Sequence, residues 1–420
     1  MQACIEQYEP KTINLYTITL WDALKYEILN VQEEDLAQES LKALAMMASK
    51  FARSEGPLNN YLRPIIKECN EHLEDAPTKQ SEAAGRILHS VASAGSGIAD
   101  KIAKGIFRHL FELYQGSESI TKRRGLLEVY NQIVKAYIEL TLERTDSNID
   151  TLQASATDSL EAMLRAVTNA PKSEVSFRLT ALKGLAQLLA IPKILSESQA
   201  HSAVDAVTDV VLHERVGGHG DIRSEAIKTL GDMALNAPDA IRDRAIPAFM
   251  VELPDVPSDE ADFSPVLEAF AQLSAEQQVF DTIVLRLKNK RNAAVHQGAP
   301  KAYQQALLLA ILYAFTHGTP MPNEDGVIRS DYYNDYVEPL VTSIREDESV
   351  RGDGQTLDIV GRLCNRVLRA QSHHFQSTTY RRNVEWISEK ANADRIASNA
   401  RLAPFLLHYY AALRPEVVEP

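Results

Sequence analysis

Apolar side chains recur three and four residues apart along most of the chain, a spacing that predicts amphipathic helices. The clearest stretches begin at a polar or charged residue and continue into this apolar pattern. Five of them form a related set, and each is expected to be one helix. They span residues 35–51, 79–92, 122–134, 177–189 and 221–235.

Each of these five stretches contains a pair of apolar residues three positions apart, and the pairs recur at nearly constant distance. The pairs are Leu41/Leu44, Ala84/Ile87, Leu126/Val129, Leu182/Leu185 and Ile227/Leu230, so that successive offsets are 43, 42, 56 and 45 residues. A period of roughly 40–47 residues is typical of HEAT and armadillo units, in which each helical hairpin buries its apolar face against its neighbours. We attribute the longer step to a polar loop insertion at residues 141–152.

The matching first helices of the hairpins are expected between these stretches, at 58–73, 98–114 and 201–216. Pro64 falls inside the first of them and is expected to kink it. We therefore predict an all-α protein, a HEAT/armadillo-type α-α superhelical solenoid. Residues 1–250 form HEAT-like helical repeats, 251–265 an acidic, proline-rich linker or loop, and 266–420 further, less regular helical repeats, with breaks at 316–326 and 345–354.

Composition agrees with a folded helical protein, because 45% of residues are hydrophobic, 24% are charged, and only 18 Gly and 18 Pro occur in 420 residues. The formal net charge of −13 opposes long-range attraction to nucleic acid or to an acidic membrane. No leader pattern or membrane-length apolar run is present. Three cysteines and no Asn-x-Ser/Thr acceptor fit the nucleus and the cytoplasm, where we expect the protein.

No metal or nucleophile motif is present in the sequence. Cys4, Cys69 and Cys364 are far apart, and neither Cys-x-x-Cys nor His-Glu-x-x-His occurs. His373 and His374 follow Cys364, but adjacent residues diverge by about 100° on a helix, so we interpret them as surface histidines. A Gly-x-Ser-x-Gly elbow is also absent. We therefore expect no metal, no cofactor and no catalytic residue.

Two glycine-rich segments resemble phosphate-binding loops only superficially. In the segment Gly217-GHGD, no strand precedes the glycines, and Asp221 stands where a phosphate would bind, so we interpret Asp221 as a helix N-cap. Near Gly95 and Gly97, Asp100 replaces the third glycine of a dinucleotide fingerprint, and the context is helical. Neither segment is expected to bind a nucleotide.

Charged clusters are the remaining candidates for contacts. The basic clusters are Lys122-RR, Lys288-NKR and Arg381-Arg382, and the main acidic run is 252–262. Each basic cluster is interpreted first as a solvated helix end, and otherwise as a contact for an acidic protein or, least favoured, for nucleic acid. The acidic run is interpreted as a solvated loop, with recruitment of a basic partner as the alternative. No protein-binding residue is assigned from the sequence.

Three segments carry more than the generic repeat pattern. They read ILNVQEEDLAQESLKAL from Ile28, LRPIIKECNEHLEDAPTKQSEAAGRILHSVASA from Leu62 and ESITKRRGLLEVYNQIV from Glu118. Together they resemble the MMS-nineteen family, the large HEAT-repeat adaptors of the cytosolic iron–sulfur cluster assembly targeting complex, linked to nucleotide excision repair and transcription. The resemblance is strongest over 16–134 and corresponds to the central portion of the longer family members.

The resemblance implies a non-catalytic scaffold that links the iron–sulfur assembly machinery to DNA repair, replication and transcription enzymes. Its implied partners are a β-propeller protein, a small assembly factor and iron–sulfur client enzymes, with no direct contact to nucleic acid or membrane. Because the family docks partners towards its C-terminus, a central fragment is expected to bind the propeller weakly or not at all. The alternatives are an unrelated HEAT/armadillo adaptor, as in nuclear transport or phosphatase assembly, and an enzyme built on a helical scaffold.

Overall fold

The computed structural model describes residues 2–30, 33–143, 148–214, 222–257, 263–318, 327–388 and 402–418. Every regular element in these ranges is a helix, which confirms the predicted all-α class. The chain divides into two compact units, unit 1 (Met1–Ala237) and unit 2 (Pro238–Pro420). Each unit is a stack of helical hairpins.

Unit 1 is built from helices in two layers. The second layer contains the five helices predicted from the apolar pairs, and each of them packs on the next one in the chain. The first layer contains α5, α7, α9 and α11, which also pack in chain order. The helices are α1 (Gln2–Gln7), α2 (Pro10–Leu15), α3 (Thr17–Leu29), α4 (Glu34–Phe51), α5 (Glu55–Leu73), α6 (Lys79–Ala92), α7 (Ser96–Gly116), α8 (Ile120–Glu143), α9 (Asp150–Thr168), α10 (Val175–Leu189), α11 (Glu197–His213) and α12 (Ile222–Asn236).

The apolar pairs used to align the repeats are all buried. Leu44, Ala84, Leu126, Leu185 and Leu230 are fully buried, and their partners are at most 6% exposed. Each pair lies in a second-layer helix, α4, α6, α8, α10 or α12, and these helices pack on one another in that order. The aligned pairs are therefore the repeating core of unit 1, as the sequence period predicts.

The loop insertion predicted at 141–152 is wrong at both ends. Helix α8 continues to Glu143 and α9 already begins at Asp150, while residues 144–147 lie outside the described ranges. The long step between repeats arises largely because α8 is 24 residues long. Its C-terminal part buries Tyr137 and Leu140. The segment thus has an apolar face, which favours helix over an exposed loop.

Pro64 does not interrupt its helix, because α5 runs from Glu55 to Leu73 with the proline inside. The packing of α5 outweighs the missing backbone hydrogen bond. Ile65 and Cys69, which follow the proline, are both buried. Burial of that face contributes about 1.5–3 kcal/mol for each large apolar side chain, which is comparable to the roughly 3 kcal/mol cost of an internal proline.

Unit 2 repeats the two-layer arrangement. Its second layer is the series α15, α17, α20 and α22, in which each helix packs on the next. The elements are α13 (Pro238–Ala240), π1 (Ile241–Ala245), α14 (Ile246–Val251), α15 (Ser264–Leu273), α16 (Gln277–His296), α17 (Lys301–His317), π2 (Tyr333–Val337), α18 (Glu338–Glu346), α19 (Glu348–Arg351), α20 (Gly354–Leu368), α21 (His373–Ser388), α22 (Ala403–Ala411) and α23 (Pro415–Val418).

Two π-helical turns widen the first-layer helices of unit 2. The Ile246 amide donates to the carbonyl of Ile241, and the Glu338 amide donates to that of Tyr333. A proline follows immediately in each case, Pro247 or Pro339 in the sequence. Since proline has no N–H, the usual bond four residues back cannot form, and the helix widens to a five-residue spacing.

Part of the predicted acidic linker packs into unit 2. Leu253 is fully buried, and the Pro254 carbonyl accepts a hydrogen bond of 2.6 Å from the Tyr303 hydroxyl. The Asp255 carboxylate lies 2.9 Å from the Lys290 ammonium. Residues 258–262 of the run lie outside the described ranges. The described part of the run is therefore a structured turn between α14 and α15, and its role as a domain boundary stays a prediction.

Leu182 and Lys183 give a direct test of the repeat register in α10. Leu182 is 1% exposed, whereas the next side chain, Lys183, is exposed. We predict that Leu182→Ala lowers the free energy of unfolding by about 2–5 kcal/mol. The control, Lys183→Ala, should stay within about 0.5 kcal/mol of the wild type. Equilibrium urea denaturation of the full chain measures both, and equal midpoints for the two variants would contradict the register.

Candidate protein-binding groove

A broad concavity lies across the second layer of unit 1. It has a volume of about 790 Å³ and is lined by the exposed stripes of three successive helices, α8, α10 and α12. Residues 128–138 of α8, 179–190 of α10 and 225–236 of α12 contribute to its walls. We call this concavity the second-layer groove. Its apolar lining comes from residues such as Ile138 and Leu235, and the remainder is polar.

A hydrogen bond between neighbouring helices fixes the floor of the groove. The Asn131 side chain in α8 is 5% exposed, and its Nδ2 donates to the Thr180 carbonyl of α10 at 3.0 Å. This contact needs a small residue opposite, since a Cβ atom on Gly184 would lie 2.7 Å from Asn131 Oδ1. Asn131 and Gly184 therefore hold α8 and α10 in close register.

Charges along the groove are balanced, with three lysines and three acidic residues in its lining. Lys135 lies 3.7 Å from Glu139, just outside the lining, and Lys228 lies 3.9 Å from Glu225. Lys183 on α10 and Asp232 on α12 make no ion pair within the described ranges. The groove thus exposes one unpaired ammonium and one unpaired carboxylate on adjacent helices.

The basic cluster at the start of α8 is engaged within the protein. The Lys122 ammonium donates to the Glu74 carbonyl at 2.6 Å, and Arg123 Nε donates to the Tyr114 carbonyl at 3.3 Å. Arg124 Nε lies 3.3 Å from the Glu128 carboxylate. These contacts tie the start of α8 to the preceding helices.

The other two basic clusters are also largely used in packing. The Lys288 ammonium lies 5.2 Å from the Tyr336 ring centre, and Lys290 pairs with Asp255. Burial lowers the pKa of Arg291. Arg382 lies 3.0 Å from the Glu338 carboxylate, whereas Arg381 is exposed. Each of the three clusters therefore has at least one cation engaged within the protein.

The structure does not bring the metal-type residues together. Cys69 and Cys364 are buried, and burial raises the pKa of each thiol, whereas Cys4 is exposed. His373 and His374 are exposed at the start of α21. Within the described residues, no group of three or more His, Cys, Asp or Glu side chains could hold a metal ion.

The segment after Gly95 has a structural role through Asp100. The Asp100 carboxylate accepts from the backbone amide and the hydroxyl of Thr151, and it lies 2.8 Å from the Lys104 ammonium. Burial raises the pKa of Asp100, but these hydrogen bonds outweigh burial and hold the pKa below its usual value. Asp100 thereby caps the start of α9. The segment Gly217-GHGD, with the predicted N-cap Asp221, lies outside the described residues.

One Ser, His and Glu cluster beside the groove has the wrong connectivity for a catalytic triad. Ser93 Oγ donates to Glu139 at 2.9 Å, and His89 Nε2 lies 3.2 Å from the same carboxylate. A triad needs the serine hydroxyl on the histidine, which then acts as the base. Here both groups bond to the acid instead. The cluster links α6 to α8.

A buried ion pair closes the far side of the α10 hairpin. Arg178 is 4% exposed, its Nε donates to the Val167 carbonyl at 3.2 Å, and its Nη2 donates to the Glu214 carboxylate at 3.0 Å. The hydrogen bond from Arg178 lowers the pKa of Glu214 below its usual value of 4.5. The pair therefore connects α9, α10 and the end of α11.

Comparisons with known proteins place this chain beside one family. Residues 266–420 match a family model described as MMS19_C, RNAPII transcription regulator C-terminal. The MMS19 nucleotide excision repair protein homolog of Xenopus laevis is 24% identical over 71% of this chain and 30% of that protein. The DNA repair/transcription protein mms19 of Schizosaccharomyces pombe is 24% identical over 64% of this chain and 27% of that protein. The chain thus spans about a third or less of the length of these relatives.

A solved structure of a Kap121p mutant is similar at a TM-score of 0.47, with 13% identity over 95% of this chain and 42% of that chain. The assignment of the fold rests on the packing of the helices described above and not on this comparison. Within the described ranges, no helix is both long and apolar enough to cross a membrane.

The family model and the family motifs lie at different ends of the chain. Residues 266–420 match a model described as C-terminal, whereas the resemblance to the central portion of the longer family members is strongest over 16–134. The motifs that suggested the family lie in unit 1, at the other end of the chain. The sequence of unit 2 shows none of these family motifs, although its residues 266–420 match the family model.

The Arg178–Glu214 pair generates a pH-dependent stability difference. Since the folded pKa of Glu214 is lowered, its ionised form stabilises the fold above the unfolded pKa near 4.5, and this contribution is lost as pH falls through the folded pKa. We predict that Glu214→Gln costs about 1–3 kcal/mol at pH 7 and that this difference shrinks below pH 4.5. Urea denaturation between pH 7 and pH 3 measures the difference.

The matched control is Glu161→Gln. Glu161 pairs with Arg165 on the exposed surface of α9, where an ion pair contributes about 0–1 kcal/mol. A cost for Glu214→Gln that is independent of pH, or no larger than that of the control, would contradict this role of the buried pair.

Proposed function

We propose that this chain, an MMS19-family protein, is a non-catalytic protein-binding scaffold that links the iron–sulfur cluster assembly machinery to enzymes of DNA repair, replication and transcription. Its partners would be the β-propeller protein, the small assembly factor and iron–sulfur client enzymes, in the nucleus and the cytoplasm. The observation that carries the proposal is a two-layer helical stack with an open groove in unit 1, in a chain whose residues 266–420 match the C-terminal family model.

The chemistry of the described residues supports a scaffold over an enzyme. Among the carboxylates with a lowered pKa, the most buried are Asp100, Glu214 and Asp353. Their pKa values are lowered by hydrogen bonds that cap helices or join neighbouring repeats. Asp353, for example, accepts from the Thr356 amide at 3.1 Å at the start of α20 and from Gln305 of α17. Perturbed acids of a catalytic site would converge on one cleft, and these three lie in separate repeats.

The relatives support the proposed process. Their names associate them with nucleotide excision repair and with DNA repair and transcription. The unrelated adaptor alternative, as in nuclear transport, has no support from the names of these relatives.

Binding of the propeller protein tests the proposal. The resemblance implies that the family docks partners towards its C-terminus, and residues 266–420 match a model described as C-terminal. We therefore propose that this chain binds the propeller protein, in place of the weak binding expected of a central fragment. We predict that the full chain forms a stoichiometric complex with the purified propeller protein of the assembly machinery in analytical ultracentrifugation. A β-propeller protein from an unrelated process is the control. Failure to bind, or equal binding of both propellers, would contradict the proposed function.

A further inference from the structure

We propose that the second-layer groove binds an extended segment of a partner polypeptide that carries an acidic side chain for Lys183 and a basic side chain for Asp232. This inference rests on the scaffold function proposed above and specifies the kind of partner segment. It commits to one occupant, a peptide in extended conformation that crosses α8, α10 and α12.

The dimensions of the groove fit a short extended chain. Packed helices lie about 8–10 Å apart, so a segment that crosses three of them spans roughly 16–20 Å. An extended peptide covers that distance with about five or six residues at ~3.3 Å each.

Amide side chains in the groove match the needs of a peptide backbone. Gln132 on α8 and Gln187 on α10 both line the groove and are half-buried. Gln187 Oε1 is shielded from solvent and has no hydrogen-bond partner within the described ranges. Each amide group has donors and an acceptor, so the pair can bond the N–H and C=O groups that an extended chain leaves free.

The unpaired charges specify the side chains of the partner. Lys183 and Asp232 lie on adjacent helices and make no ion pair within the described part of the chain, whereas Lys135 and Lys228 each lie close to an acid. An acidic and a basic residue about two or three positions apart in the partner would complement both groups. A polyanion such as nucleic acid would face Glu128, Glu225 and Asp232 in the same groove and is disfavoured.

A random linear dodecapeptide library displayed on phage tests the proposal. The library is selected on the purified full chain after depletion on the Lys183→Glu variant. An enriched peptide is then synthesised with a fluorescent label, and its affinity is measured by fluorescence anisotropy. Binding to Lys183→Glu and to Asp232→Lys should each be roughly tenfold weaker than to the wild type, because one charge pair becomes repulsive.

Two further arms make the result specific to the groove. Lys67→Glu changes an exposed lysine on α5, in the other layer, and should leave the affinity unchanged. Replacing the acidic residue of the peptide by lysine should restore binding to Lys183→Glu. Urea midpoints equal to that of the wild type show that the exposed variants fold normally.

The proposal is overturned if no linear peptide is enriched, or if the enriched peptides bind the groove variants as tightly as the wild type. It is also overturned if only purely acidic or only purely basic peptides are enriched and Lys67→Glu weakens their binding as much as the groove variants do. The propeller complex reports separately on the proposed function. If that complex forms while the peptide arm fails, the scaffold function stands and only this inference is wrong.

Discussion

The structure depends on one constraint: a single helical hairpin of this chain cannot bury its apolar face alone. Leu185 in α10 shows the constraint, because it is fully buried in a helix that packs on α8, α9 and α12. Burial of such a side chain contributes about 1.5–3 kcal/mol, and most of that contribution requires a neighbouring repeat. Stability is therefore shared between adjacent units, and the surface that remains exposed is a row of parallel helix stripes. The second-layer groove is part of that surface.

Polar contacts between neighbouring helices add register to this stack. Asn131 bonds the Thr180 carbonyl across α8 and α10, Ser90 bonds the Leu41 carbonyl across α6 and α4, and Arg366 bonds the Phe315 carbonyl across α20 and α17. In each case a side chain donates a hydrogen bond to a backbone carbonyl of the neighbouring helix. The buried acids serve the same purpose at helix ends. These groups fix the positions of the helices, and the groups left unused, such as Lys183 and Asp232, are available to a partner.

The sequence predicted the second-layer helices of unit 1 closely, because each has a complete apolar stripe and its own aligned pair. The prediction failed where a segment that looks polar in the sequence belongs to a helix that packs against other parts of the chain. Residues 141–143 look polar, but Tyr137 and Leu140 before them are buried, so that α8 continues. The π turns were missed because a period of 3.6 does not describe a backbone that widens before Pro247 and Pro339. The groove could not be predicted from the sequence, since its walls come from helices that are separated by about one repeat each. Which of its charges form ion pairs depends on how those helices stack.

Hydrogen–deuterium exchange on a Leu185→Ala variant tests the central claim of neighbour-dependent stability most directly. The substitution opens a cavity at one repeat boundary. If stability is shared between adjacent hairpins, exchange should increase in α10 and in α8, α9 and α12, which pack on it, with little change in α4 and none in unit 2. An equal increase across α4 to α12 and unit 2, or an increase confined to α10, would contradict the account.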